Sequence, residues 1–222
     1  MPHIIQFPDP NLADDEGLLA VGGNLSEQFL LEAYSQGIFP WFSEGDPIMW
    51  WSPNPRMILF PGDFKLSKSL MQKIKSKKFE VKKDTCFELV IVNCSEKERK
   101  GQEGTWITPD MIDAYIKMHK AGYAHSIEVF HNNTLAGGLY GISLGKAFFG
   151  ESMFYNITDA SKIALYELVQ LAIRQGFHFI DAQQSTAHMK SMGAKDVQRK
   201  EFLQMLKKAL LSETIRGSWS NL

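Results

Sequence analysis

The chain has 222 residues, of which 44% are hydrophobic and 22% charged, and its formal net charge is −1. These proportions are ordinary for a globular protein, and no apolar run reaches the roughly 18 residues that a membrane-spanning helix requires. The N-terminus lacks the basic region and long apolar core of a signal peptide, so none is expected. Cys86 and Cys94 have no CxxC spacing and are expected to be free thiols in a reducing compartment.

Charge is unevenly distributed along the chain. Residues 1–63 contain nine acidic residues and a single Lys or Arg, Arg56, whereas residues 65–83 contain eight lysines and one acidic residue, Glu80. A basic block of this kind suits a polyanionic partner. A solvated helix face gives the same pattern, so the charges alone leave both interpretations open.

The first part of the chain is rich in proline and tryptophan. Proline and glycine interrupt residues 1–23, and a helix is predicted to begin after the N-cap Ser26. Four prolines in residues 40–55 then exclude a continuous helix, and three tryptophans lie in residues 41–51. These large side chains could cover a small core or form a stacking surface for a base.

The pattern changes after Arg56. A β-meander is predicted over residues 124–154, where apolar residues alternate between turn signals. We expect further strands at 57–60, 79–81 and 177–181, and helices at 65–78, 84–94, 108–122, 158–175, 188–192 and 199–211. This order predicts an α+β fold with a mostly antiparallel sheet in a larger domain of residues 57–222, preceded by a small N-terminal domain of residues 1–56.

Two carboxylates follow apolar runs. Glu151 comes after two phenylalanines and a glycine, and Asp181 ends the predicted strand 177–181. A carboxylate that loses water in such a place needs a partner. On an extended backbone Asp181 and Gln183 point to the same side, so Asp181 could hold the Gln183 amide and leave its oxygen free to accept a hydrogen bond. The same residues could instead be a polar strand end closed by capping contacts.

Six segments, spread in order over nearly the whole chain, resemble the bacterial leucyl/phenylalanyl-tRNA–protein transferases. Any one segment alone would be weak, whereas six in sequence are highly specific. They are residues 17–26 (GLLAVGGNLS), 36–42 (QGIFPWF), 50–56 (WWSPNPR), 103–108 (EGTWIT), 150–154 (GESMF) and 180–183 (IDAQ).

The resemblance implies an activity. Members of the family transfer a leucyl or phenylalanyl group from charged tRNA to the N-terminal Arg or Lys of a protein, which directs that protein to degradation by the N-end rule pathway. The family is cytoplasmic, and its larger domain has an acyltransferase fold of the GNAT type. No metal or coenzyme A is used, because the tRNA ester is already activated. The expected partners are Leu-tRNA, Phe-tRNA and proteins with an N-terminal Arg or Lys.

The resemblance also implies site residues. Asp181 and Gln183 match the family residues that orient the attacking amine and handle its proton. Glu151 is assigned to the cationic acceptor, either its amine or its Arg or Lys side chain. Trp41 and Trp106 would flank the terminal adenosine of the tRNA. The candidates for an apolar aminoacyl pocket are Met153, Leu165, Leu168, Ala172 and Ile180. The candidates for contacts with tRNA phosphates are Lys73, Lys75, Lys77 and Lys78.

Two rival functions are considered beside this one. An acetyl-CoA-dependent N-acetyltransferase is expected to carry a Gln/Arg-x-x-Gly-x-Gly/Ala loop before a helix, and the sequence contains none. A non-catalytic RNA-binding module would account for the lysines and tryptophans but would leave Asp181 and Gln183 without a role. The sequence has no metal-ligand spacing, so no metal is expected.

Overall fold

The computed structural model describes residues 5–97 and 105–222, so Glu103 and Gly104 of the fourth matching segment lie outside the described residues. The described chain forms two β-sheets. The smaller sheet has three antiparallel strands, all from the N-terminal part, and the larger has seven strands. None of the helices in the described ranges is long and apolar enough to cross a membrane.

The N-terminal part contains one α-helix and the smaller sheet. Helix α1 spans Glu27–Ser35, and the Ser26 hydroxyl caps it by accepting a hydrogen bond from the Phe29 N–H, as predicted. The strands are β1 (Leu18–Val21), β2 (Phe39–Pro40) and β3 (Met49–Trp51), in the order β1–β3–β2. The sequence did not predict these strands, because strands of two to four residues are too short to show a clear alternation.

The larger sheet is mixed but mostly antiparallel. Its strands are β4 (Arg56–Leu59), β5 (Phe79–Lys83), β6 (Ala124–His131), β7 (Thr134–Leu144), β8 (Ala147–Tyr155), β9 (Phe179–Gln183) and β10 (Lys195–Val197). They lie in the order β10–β4–β9–β8–β7–β6–β5, and only β8 and β9 run parallel. The predicted α+β fold and the β-meander are confirmed, whereas the short strand β10 was not predicted.

The described residues form six further α-helices. They are α2 (Lys68–Lys75), α3 (Phe87–Ser95), α4 (Pro109–Lys120), α5 (Ala160–Gln175), α6 (Ala187–Ser191) and α7 (Arg199–Ala209). All six overlap predicted helices, and several of them have clear end signals. The Thr108 hydroxyl, for example, accepts a hydrogen bond from the Met111 N–H at the start of α4, and Gly176 ends α5 in the left-handed conformation.

Buried side chains from both predicted domains share one hydrophobic cluster. Leu30 and Ile38, from the first 56 residues, pack in it with Phe149 of β8 and Phe202 of α7. The division of the chain at residue 56 therefore stays a prediction. What matters for the site is that the N-terminal part packs directly against the sheet.

The parallel strands β8 and β9 pair only over a short length. Their pairing runs from Ala147 with Phe179 to Phe149 with Asp181. Beyond that point β8 continues to Tyr155 along β7, while β9 ends at Gln183. The two strands thus separate next to the sequence-predicted carboxylates.

Gly141 of β7 lies so close to β8 that a methyl group does not fit. A Cβ at this position would lie 2.1 Å from the Phe149 carbonyl oxygen and 2.6 Å from the Phe148 ring. We expect Gly141→Ala to lower the free energy of unfolding by about 2 kcal/mol, because β8 must shift. Urea denaturation measures this, with Gly62→Ala as control, since a Cβ there meets nothing within 4 Å. Equal stability of the two variants would contradict the expectation.

Candidate active site

An ion pair between Arg56 and Asp181 lies at the centre of the site. Arg56 begins β4, Asp181 belongs to the neighbouring strand β9, and both side chains are completely buried. The Arg56 Nε donates to Oδ1 (2.9 Å) and Oδ2 (3.1 Å) of Asp181, and Nη2 donates to Oδ2 (2.7 Å). Such two-point contacts are among the strongest that a carboxylate makes with a side chain. Asp181 is therefore held in one orientation.

Asp181 also fixes the backbone of Gln183. The Gln183 N–H donates to Asp181 Oδ1 at 2.8 Å, and Gln183 has a φ of +61°. Since the backbone is not extended there, the prediction that Asp181 holds the side-chain amide of Gln183 is wrong. The amide Nε2 donates instead to Glu151 Oε1, at 2.8 Å. Within the described ranges, nothing donates to the Gln183 Oε1, so this oxygen can accept a hydrogen bond from a substrate.

Glu151 accepts hydrogen bonds on both of its oxygens. Tyr34 Oη donates to Oε1 at 2.7 Å, in addition to Gln183, and Tyr115 Oη donates to Oε2 at 3.0 Å. The two tyrosine hydroxyls also contact each other, and burial raises the pKa of both, so they keep their protons. Glu151 is only 7% exposed. Its burial raises the pKa of the carboxyl to about 7, although the hydrogen bonds from the tyrosines act in the opposite direction.

An apolar cavity of about 350 Å³ opens beside Glu151 and Asp181. Four of the five residues predicted for the aminoacyl pocket line it, namely Met153, Leu165, Leu168 and Ile180. The fifth, Ala172, is buried in the core and is not part of the cavity wall. The cavity therefore ends before the last turn of the predicted helix face.

A smaller and more polar cavity of about 210 Å³ adjoins the first. Trp41 and Trp106 both line it, together with Gln183. The two cavities share Glu151, Ala182 and Thr186. This arrangement suits a substrate in two parts, with an apolar group in one cavity, a flat ring in the other and the bond between them near Gln183.

The sequence left open whether the tryptophans of residues 41–51 cover a core or form a stacking surface, and the structure places them differently. Trp50 is 1% exposed and packs edge-on against Phe7, with 4.9 Å between ring centroids, so it belongs to the core. Trp41 lines the smaller cavity. Trp51 packs against Trp41: its Nε1 donates to the Trp41 carbonyl at 2.6 Å, and the two rings lie edge to face.

Two protein-family models match the chain. The model described as leucyl/phenylalanyl-tRNA protein transferase matches residues 58–207, which is well over half of the sequence. The chain belongs to the leucyl/phenylalanyl-tRNA–protein transferase family. A second model, the N-terminal domain of the same transferase, matches residues 23–54. The resemblance seen in the six segments is confirmed.

Relatives of the transferase match it over nearly their whole length. The leucyl/phenylalanyl-tRNA–protein transferase of Desulfatibacillum aliphaticivorans is 52% identical over 99% of this chain and 94% of its own. That of Legionella pneumophila (strain Corby) is 52% identical over 96% of both chains. The protein is therefore an enzyme, an aminoacyltransferase, as the sequence predicted.

Two solved structures resemble the transferase more distantly. L-PGS from Bacillus licheniformis matches 73% of this chain and 52% of its own, at a TM-score of 0.42 and 10% identity. The GCN5-related N-acetyltransferase from Kribbella flavida matches 77% of this chain and 60% of its own, at a TM-score of 0.40 and 7% identity.

The lysines predicted to contact tRNA lie on α2 of the transferase and just after it. Lys75, Lys77 and Lys78 are exposed, and no described residue forms an ion pair with them. Lys73 differs, because its ammonium group is paired with the Asp159 carboxylate at the start of α5. Three of the four predicted lysines are thus open to a polyanion.

Three residues of the site were not predicted from the sequence: Arg56, Tyr34 and Tyr115. A signal for Arg56 was present, because it is the single Lys or Arg among the first 63 residues and lies at the end of a matching segment. Tyr34 and Tyr115 carried no comparable signal. Each sits on the apolar face of a helix, and their hydroxyls meet only because α1 and α4 pack together.

Glu151 makes the stability of the transferase depend on pH. Its pKa is raised from 4.5 to about 7 in the folded protein, so between these values the folded state keeps a proton that the unfolded state has released. This contribution to the free energy of unfolding is present below pH 4.5 and is lost as the pH rises through 7. We expect the free energy of unfolding of the wild type to fall by up to roughly 3 kcal/mol between about pH 5 and pH 8 because of this group. The Glu151→Gln variant, whose side chain cannot ionise, should not show this fall.

Urea denaturation of wild type and Glu151→Gln at each pH measures this difference, so that other titrating groups cancel. The control is Glu201→Gln, because Glu201 is exposed on α7. A constant difference between wild type and Glu151→Gln over this pH range would show that the carboxyl titrates normally.

Proposed function

We propose that this transferase moves a leucyl or phenylalanyl group from charged tRNA to the N-terminal amine of proteins that begin with Arg or Lys. In the cytoplasm, where tRNA is charged, this would mark the acceptors for degradation by the N-end rule pathway. The observation that carries the proposal is the meeting of an apolar cavity and a tryptophan-lined cavity beside Gln183. The names of the relatives, which specify leucyl, phenylalanyl, tRNA and protein, support the same substrates.

The two cavities match the two ends of an aminoacyl-adenosine. The apolar cavity would take the Leu or Phe side chain between Leu165, Leu168 and Ile180. Burial of such a side chain contributes roughly 1.5–3 kcal/mol. Trp41 and Trp106 would hold the terminal adenine by stacking, which needs no base-specific hydrogen bond. The ester carbonyl would then lie where the cavities meet.

The transfer reaction requires no strong base. An N-terminal α-amine has a pKa of about 8, so a useful fraction is neutral near pH 7. The neutral amine attacks the ester carbonyl carbon, a C–N bond forms, and the bond from that carbon to the ribose oxygen breaks. One amine proton ends on that oxygen, so the products are an amide and a tRNA with a free 3′-terminal hydroxyl. Holding amine and ester together supplies much of the rate.

Gln183 is the residue best placed to orient the amine. Because its Nε2 is bonded to Glu151, its Oε1 is the atom left to accept an N–H of the attacking amine. Glu151 has three donors on two oxygens and little exposure, which favours a role in positioning Gln183. The assignment of Glu151 to the amine or side chain of the acceptor stays a prediction.

Transfer of labelled leucine from charged tRNA to a peptide that begins with Arg tests the proposal. We expect label in Arg-initial and Lys-initial peptides and none in an otherwise identical Ala-initial peptide. Labelled acetyl-CoA serves as a second donor, since acetyl transfer to the peptide would identify an N-acetyltransferase instead. Binding of tRNA without any transfer would leave an RNA-binding module as the function.

Lys75, Lys77 and Lys78 would contact phosphates of the tRNA. We expect the triple Lys→Gln variant to raise the KM for charged tRNA about five- to tenfold with little change in kcat. It should also lower the salt dependence of KM, because fewer counterions are released on binding. The assay is repeated from about 50 to 200 mM salt.

The control for this prediction is a triple Lys→Gln variant on α7, at the exposed residues Lys200, Lys207 and Lys208. It removes the same charge from another face. A change confined to kcat, or an equal effect in the control, would show that the α2 lysines do not bind tRNA.

A further inference from the structure

Arg56 makes more contacts with the site than any other cation in the described ranges, although no step of the proposed transfer uses it. We infer that Arg56 is a positioning residue for aminoacyl transfer: through Asp181 it fixes the Gln183 backbone, and Asp181 serves as an anchor and not as the base that takes the amine proton. This role rests on the proposed function, since it concerns the same reaction.

Asp181 is committed to Arg56 and to the Gln183 backbone, which argues against a role as the base. Three N–H groups donate to its carboxylate: the Arg56 Nε–H, shared between Oδ1 and Oδ2, the Arg56 Nη2 on Oδ2 and the Gln183 N–H on Oδ1. Transfer of the amine proton to Asp181 would leave a completely buried guanidinium without its counter-charge. Breaking a buried ion pair in this way is strongly unfavourable. The geometry therefore suits a fixed anion.

The Arg56 guanidinium is itself held from three sides. Its carbon lies 4.7 Å from the centre of the Phe39 ring and 4.6 Å from the centre of the Phe202 ring. Its Nη1 donates to the Gly37 carbonyl at 3.1 Å. Stacking between two rings combined with a two-point contact to a carboxylate requires a planar fork of donors, which lysine does not provide.

The contact between Asp181 and Gln183 carries this constraint to the reacting atoms. Gln183 occupies the left-handed region at φ +61°, which is costly for a residue other than glycine and persists only when the surroundings enforce it. The Asp181 carboxylate on the Gln183 N–H and the Glu151 carboxylate on its Nε2 are those surroundings. If Asp181 turns, the Gln183 Oε1 moves away from the cavity junction.

Arg56 also links the two halves of the substrate site. Gly37 and Phe39 precede Trp41 in the chain, and Trp41 lines the cavity proposed for adenosine. Asp181 lies just before Gln183 on the other side of the guanidinium. One side chain thus sets the position of the tryptophan segment relative to the amide that would orient the amine.

Four variants test this role: Arg56→Lys, Arg56→Gln, Asp181→Asn and the double variant Arg56→Gln with Asp181→Asn. Each is assayed for leucine transfer from charged tRNA, with kcat and KM determined separately and melting temperature recorded. Arg56→Lys should lower kcat about 100-fold and change the KM for charged tRNA less than about threefold, because a small displacement of reacting groups has this effect on rate. Arg216→Lys is the matched control, since Arg216 also stacks on a ring, that of Tyr123, but at the surface.

The double variant decides the role of Asp181. Its two neutral amides leave no unpaired buried charge, and the side-chain oxygen of the introduced asparagine can still accept the Gln183 N–H. Its kcat should therefore exceed that of Asp181→Asn alone by about tenfold or more. If Asp181 takes a proton in the reaction, the amide cannot replace it, and the double variant will be no more active than Asp181→Asn.

The remaining outcomes are also decisive. Wild-type kcat in a folded Arg56→Lys variant would overturn the role of Arg56. If the double variant does not fold, the kcat of Arg56→Lys alone decides the outcome. Transfer by the wild-type enzyme in the same assay separates a failure of the proposed function from a failure of the proposed role of Arg56 and Asp181. If wild type transfers no leucine, the proposed function fails, whereas active wild type with an inactive, folded double variant rejects only the anchoring role.

Discussion

The buried pair of Arg56 and Asp181 is the interaction on which the rest of the site depends. Two charges with no access to water are tolerated only when each satisfies the other, so this contact leaves little freedom in how its neighbours pack. The guanidinium touches β2 through Phe39, α7 through Phe202 and β9 through Asp181. The N-terminal part, the C-terminal helix and the central sheet are thereby brought together at one point, and the two cavities lie beside it.

The two carboxylates of the site differ because their partners differ. Asp181 is paired with a full positive charge, whereas the described residues that donate hydrogen bonds to Glu151 are all neutral, namely Tyr34, Tyr115 and Gln183. Neutral donors do not compensate fully for lost water, so the pKa of Glu151 is raised to about 7. The site thus combines one fixed ion pair with one carboxyl that titrates near neutral pH, and Gln183 lies between them.

Local signals predicted most of the fold but not all of the site. Caps, glycine stops and the spacing of apolar residues predicted every α-helix of the described residues, whereas strands of two to four residues such as β2 and β10 showed no alternation. Leu165 and Leu168, which were chosen by their spacing on α5, line the apolar cavity, yet Ala172, on the same predicted face, lies in the core. How far a cavity extends along a helix depends on what packs against each turn, and spacing within the helix does not contain that information.

The sequence by itself determined the family, the α+β fold, and the choice of Glu151, Asp181 and Gln183 as candidate site residues, with the tryptophans beside them. It did so because these residues lie in short segments that can be recognised without knowledge of their contacts. Only the tertiary structure decided which of the buried polar groups pair with each other. Asp181 pairs with Arg56, 125 residues away, and the Gln183 amide turns to Glu151. Buried polar groups pair with the groups that the packing of strands and helices brings near them. The left-handed backbone at Gln183 likewise follows from that packing and from no local preference.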